Sequence, residues 1–123
     1  MRRSHTMGLS THVLDTMHGT PAAGMAVTLY RLDATGHATP LRQLTLNADG
    51  RADGPLLAGA EVVAGRYRLV FAVADYFRAR GVALPDPPFL EDVPLDFGIA
   101  DVNAHYHVPL LASPWAYSTY RGS

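Results

Sequence analysis

Three histidines stand on stretches that read as strands: His12 within Leu9-Ser10-Thr11-His12-Val13-Leu14, and His105 and His107 within His105-Tyr106-His107-Val108. In an extended strand alternate side chains share a face, so His105 and His107 point one way and Tyr106 and Val108 the other. An imidazole titrating near neutrality can take a proton from water and return it to a leaving group. His5, His18 and His37 fall in a leader or in turns, where solvated surface imidazoles are expected. Arg51 follows Asn47-Ala48-Asp49-Gly50, a tight-turn signal, and a fixed guanidinium there could hold an anionic or carbonyl-bearing substrate.

These residues are compatible with three chemistries. His12, His105 and His107 could ligate zinc and leave an open position for water. A serine such as Ser118 could be a nucleophile served by a histidine, although the chain has no Gly-X-Ser-X-Gly elbow. Alternatively, histidines could act as base and acid on a bound water with Arg51 holding the substrate, which needs no metal. The chain has no cysteine, so disulfides, thiolate nucleophiles and cysteine-ligated metals are excluded.

The elements that must position these groups are short and mostly extended. Alternation marks strands at Leu9–Leu14, Met25–Leu32, Arg42–Leu46, Arg66–Val73 and Val93–Ile99. Two more, from His105 and from Ala116, are split by Ser113-Pro114. In the last of these Ala116, Ser118 and Tyr120 share a face. Pro94 cannot donate a ladder hydrogen bond, so its strand is expected at an edge or irregular there. One short helix is expected over Ala74–Arg80, stopped by Gly81. Seven or eight strands without a βαβ rhythm predict an all-β, antiparallel β-sandwich with one short helix. Residues 1–8 read as a flexible N-terminal leader and residues 9–123 as one domain.

The composition, 48% hydrophobic and 17% charged with a net charge of -1, is that of a folded globular domain. Its basic residues are scattered, so nucleic acid is not an expected partner. There is neither a membrane-length apolar run nor an apolar signal core after Met1-Arg2-Arg3, so a soluble, cytoplasmic protein is expected.

Four stretches taken together resemble the 5-hydroxyisourate hydrolases, the enzyme branch of the transthyretin-like family. They are Leu9-Ser10-Thr11-His12-Val13-Leu14-Asp15, Asp49-Gly50-Arg51, His105-Tyr106-His107-Val108-Pro109-Leu110-Leu111 and the closing Tyr120-Arg121-Gly122-Ser123. Gly65-Arg66-Tyr67-Arg68-Leu69 and Tyr76-Phe77 agree as well. The closing tetrapeptide is the most specific, because it separates the hydrolases from the carrier transthyretin. Trp115-Ala116 departs from the tyrosine and glycine of many members, and Ala83–Pro88 is the least similar stretch.

The resemblance implies a transthyretin-like β-sandwich assembled as a homotetramer, with active sites in a channel at the dimer-dimer interface. The implied reaction adds water to a ring carbonyl of 5-hydroxyisourate, a small-molecule substrate, and gives 2-oxo-4-hydroxy-4-carboxy-5-ureidoimidazoline in urate breakdown. No cofactor and no metal are implied. The family's catalytic histidines and arginine match His12, His107 and Arg51. Tyr120, Ser123 and His105, with His12 and Arg51, are the implied substrate-binding residues. Which histidine is the base stays open. The rival expectation is a transthyretin-like carrier that binds a small aromatic ligand without turnover.

Overall fold

A computed structural model describes residues 8–122. Residues 1–7 of the expected leader and Ser123 lie outside the described residues. Gly8, expected in the leader, is the first residue of a strand. The strands are β1 Gly8–Asp15, β2 Thr20–Pro21, β3 Ala26–Leu32, β4 Ala38–Thr45, β5 Leu57–Ala58, β6 Gly65–Phe71, β7 Val93–Ile99, β8 His105–Ala112 and β9 Tyr117–Thr119. A single α-helix among the described residues, α1 at Val73–Ala79, lies between β6 and β7.

The strands form two sheets, one ordered β2-β1-β8-β9 with β5 also on β1, the other β4-β3-β6-β7. β7 is at an edge, one of the two outcomes expected from Pro94. The pairing is antiparallel except between β1 and β8, which run parallel in continuous register. The all-β sandwich expectation is met, and the wholly antiparallel one is corrected by this pair.

The two-residue period of β1 and β8 decides what faces the core. Leu9, Val13, Tyr106, Val108 and Leu110 are buried there with Leu29, Leu69 and Phe71 from the other sheet. Each apolar side chain fully buried in this way contributes about 1.5–3 kcal/mol. Because the period is two, a one-residue slip of β1 on β8 would turn His12 inward and Val13 out to solvent, so burial fixes the register. Thr11, a buried polar residue of β1, is satisfied by donating to the Val108 carbonyl at 2.7 Å.

The helix ends as expected at Gly81 (φ +83°), where Gly81 N–H donates to the Arg78 carbonyl and Val82 N–H to that of Phe77. Its buried face carries Tyr76 and Phe77. Ser113-Pro114 is a turn in which the Ser113 hydroxyl accepts the N–H groups of Trp115 and Ala116.

Candidate active site

Parallel pairing sets Ser10 opposite His107, Gly8 opposite His105 and His12 opposite Pro109. The outer face of this sheet therefore carries Ser10 and His12 from β1 beside His105 and His107 from β8. His12 is one strand over and two residues along from His107, about 8 Å between Cα atoms from strand geometry.

Arg51 reaches this face from a loop tied at both ends. The Asn47 side-chain oxygen accepts the N–H groups of Asp49 and Arg51, and Asn47 N–H donates to the Arg51 carbonyl at 2.8 Å. Gly50 has φ +71°, and a Cβ there would lie 2.5 Å from the Val13 carbonyl oxygen, so the turn accepts no side chain at this point. Val13 N–H donates to the Gly50 carbonyl at 2.9 Å, and Arg51 forms an antiparallel bridge with His12. The Asp-Gly-Arg signal thus positions a guanidinium beside the strand histidine.

The segment after β9 closes the other side. His107 and Gly122 exchange both backbone hydrogen bonds, at 2.7 and 3.2 Å. A Cβ on Gly122 would lie 3.2 Å from Cβ and Cδ2 of His107, so the imidazole rests against bare backbone. The same register brings Tyr120 level with Pro109 on the histidine face, with its side chain 60% exposed. Arg121 faces the other way, its guanidinium 4.2 Å above the Tyr106 ring while donating to the His105 carbonyl.

A hydroxyl that the sequence reading passed over joins the two β8 imidazoles. Ser10 Oγ lies 2.8 Å from His107 Nδ1 and 3.1 Å from His105 Nε2. Ser118 instead faces Leu111 across the β8–β9 ladder, four residues along β8 from His107. Among the described residues no group of three or more histidines and carboxylates gathers in a metal-holding arrangement. An open depression of about 600 Å³ borders Gly8, Ser10, Arg51, Pro55 and His105.

Electrostatics favour neutral rings. His107 is held below the ordinary histidine value by burial first, then by the Arg51 charge and by His12 and His105. His12 is lowered by burial and by Arg51, while the carbonyl and carboxylate of Asp49 act in the opposite direction. Both are thus available as proton acceptors at neutral pH. His18 is exposed, as expected for a turn residue, and there bonds Asp15 Oδ2 through Nδ1 at 2.6 Å and stacks on Phe77. His37 is exposed, as expected for a turn residue.

The HIUase/Transthyretin family model matches residues 9–122. The chain belongs to this family. It is 59% identical to 5-hydroxyisourate hydrolase 2 of Rhizobium meliloti (strain 1021), over 94% of this chain and 95% of that relative. Among solved structures it superposes on Klebsiella pneumoniae 5-hydroxyisourate hydrolase with a TM-score of 0.78 and 36% identity, covering 96% of this chain and all of the other. Sea bream transthyretin in complex with thyroxine gives a TM-score of 0.82 at 29% identity, over 93% of both chains. The family's sandwich accounts for the two sheets found here, and the hydrolase relatives bring the resemblance stated from the motifs onto nearly the whole chain.

Proposed function

We infer that the chain hydrolyses 5-hydroxyisourate in urate catabolism. The single observation that carries the reading is the joining of His12, Arg51 and His107 on one sheet face, in a chain 59% identical to a hydrolase of this name. A neutral imidazole, His12 or His107, takes a proton from water as the oxygen adds to a ring carbonyl carbon. Arg51 holds the substrate's oxygens and offsets the charge developing on that carbonyl. The ring C–N bond then breaks, the leaving nitrogen takes up the proton, and 2-oxo-4-hydroxy-4-carboxy-5-ureidoimidazoline results.

Tyr120, His105 and Ser123 are assigned to binding the heterocycle. The outer sheet face that carries the site suits a homotetramer whose dimer-dimer interface would enclose the substrate and exclude bulk water. The reading places the enzyme in the cytoplasm; no helix among the described residues is long and apolar enough to cross a membrane. A carrier without turnover would need no lowered histidines beside a guanidinium, so the polar set supports the enzyme.

The test follows the absorbance decay of 5-hydroxyisourate generated in place by urate oxidase. Acceleration over the spontaneous rate, lost in His12→Ala, Arg51→Ala and His107→Ala, is the expected result. A folded protein without acceleration would overturn the reading in favour of the carrier.

A further inference from the structure

Resting on the hydrolase reading, we propose that Ser10 is a positioning residue that sets the tautomers of His105 and His107 together and thereby makes His107 the proton acceptor. A hydroxyl has one hydrogen, and Ser10 Oγ is shared between two ring nitrogens, His107 Nδ1 at 2.8 Å and His105 Nε2 at 3.1 Å. That hydrogen can go to only one ring, and with no other acceptor for it among the described residues Ser10 donates to one neutral ring and accepts from the other.

Two arrangements satisfy this. In the first, His107 carries its hydrogen on Nδ1 and donates to Ser10, while Ser10 donates to His105 Nε2. His107 then presents a bare Nε2, and His105 keeps its own hydrogen on Nδ1. In the second, all of these roles are exchanged and His107 presents Nε2–H, which cannot take a proton from water. The first is the catalytic arrangement. There the serine oxygen also stabilises the imidazolium formed when Nε2 is protonated, because the Nδ1–H bond persists and strengthens with charge.

The geometry around the ring leaves Nε2 as the working atom. Ser10 occupies Nδ1, and the backbone of Gly122 lies against the Cβ and Cδ2 edge. The titratable and charged groups around His107 are His105 on its own strand, His12 on β1, Arg51 from the loop and, by register, Tyr120 beyond β9. No other hydroxyl bonds His107 among the described residues, so the tautomer depends on Ser10.

The test compares native protein with Ser10→Ala and Ser10→Thr, all ¹⁵N-labelled at histidine. Long-range proton–nitrogen spectra should show His107 and His105 both as Nδ1–H tautomers in native protein and in Ser10→Thr. Ser10→Ala should give a mixture for His107. In the same variants kcat should fall about 10- to 100-fold for alanine and recover with threonine. The acid limb of kcat/KM should move to lower pH in Ser10→Ala, because the imidazolium has lost its acceptor. A serine that served only packing would lower the rate without moving that limb or the nitrogen shifts. Native His107 found as the Nε2–H tautomer would overturn the proposal, as would an unchanged pH profile in Ser10→Ala with the same melting temperature. Failure of native protein to accelerate decay of the substrate would instead remove the hydrolase reading itself, and the tautomer spectra, which need no turnover, tell the two failures apart.

Discussion

The carboxylate of Asp15 accepts the phenolic hydrogen of Tyr76 at 2.7 Å, tying the end of the strand that carries His12 to the buried face of α1. The same carboxylate accepts from His18 Nδ1 at 2.6 Å, from His18 N–H at 2.9 Å and from Arg80 at 3.4 Å. A buried carboxylate needs this many donors. Tyr76→Phe should therefore cost about 1.5–3 kcal/mol, the range for a hydrogen bond to a charged group, and lower Tm by roughly 5–10 °C. Thermal melting followed by circular dichroism measures it, and kcat at 25 °C should stay near the native value.

Acid stability should follow from the same carboxylate. Burial pushes the Asp15 carboxyl up, but the bonds from His18 and Tyr76 outweigh it and leave the group below its ordinary value. A carboxylate lowered in the folded state contributes stability that is full above the unfolded pKa, about 3.9, and lost as pH falls through the lower folded value. Melting temperature from pH 6 to pH 3 should fall less steeply for Asp15→Asn, whose starting value is already reduced. Parallel slopes would contradict the assignment.

Catalysis should fail on the acid side at a pH below that of an ordinary histidine. Burial and the Arg51 charge lower both His12 and His107, so the neutral, proton-accepting forms persist below about 6.5. Arg51→Gln removes the one lowering charge that both histidines feel. Its residual kcat/KM should be at least about 100-fold lower, and its acid limb should shift upward toward 6.5. A limb that stayed in place would mean that Arg51 acts only on the substrate.

Gly122 should prove steric in its importance. An alanine Cβ there would come within 3.2 Å of Cβ and Cδ2 of His107, so the ring must give by a few tenths of an ångström. Gly122→Ala should lower kcat several-fold to about 100-fold through a misplaced imidazole, with little change in Tm. Native turnover in this variant would show that the ring tolerates the displacement.

Much of the scaffold was legible in the residues because its signals are local. Period-two alternation marked the strands, Pro94 marked an edge, Gly81 marked the helix end and Asp49-Gly50 marked the turn that delivers Arg51. Ser10 was not legible, since its role depends on β1 running parallel to β8, and strand direction is a property of the topology. Two antiparallel neighbours would have set a different residue opposite His107. The setting of Asp15 was not legible either, because only the docking of α1 adds Tyr76 and Arg80 to the local bond from His18, three residues along. The bounds of β4 moved to Ala38–Thr45 because pairing with β3 extends the strand beyond its apolar stretch.

The parallel pairing also imposes an order in time. Ser10 and His107 are 97 positions apart, and β8 is the strand alongside β1 over its whole length. During synthesis β1 emerges early with Leu9 and Val13 uncovered and waits for a partner made only after almost all of the other strands. Folding must then close this long loop before the pair gains anything, a cost that grows with loop length and slows the reaction. A chain that ends anywhere before β8 exposes an apolar strand with a free edge, so until β8 is in place that edge is open to pairing with another chain.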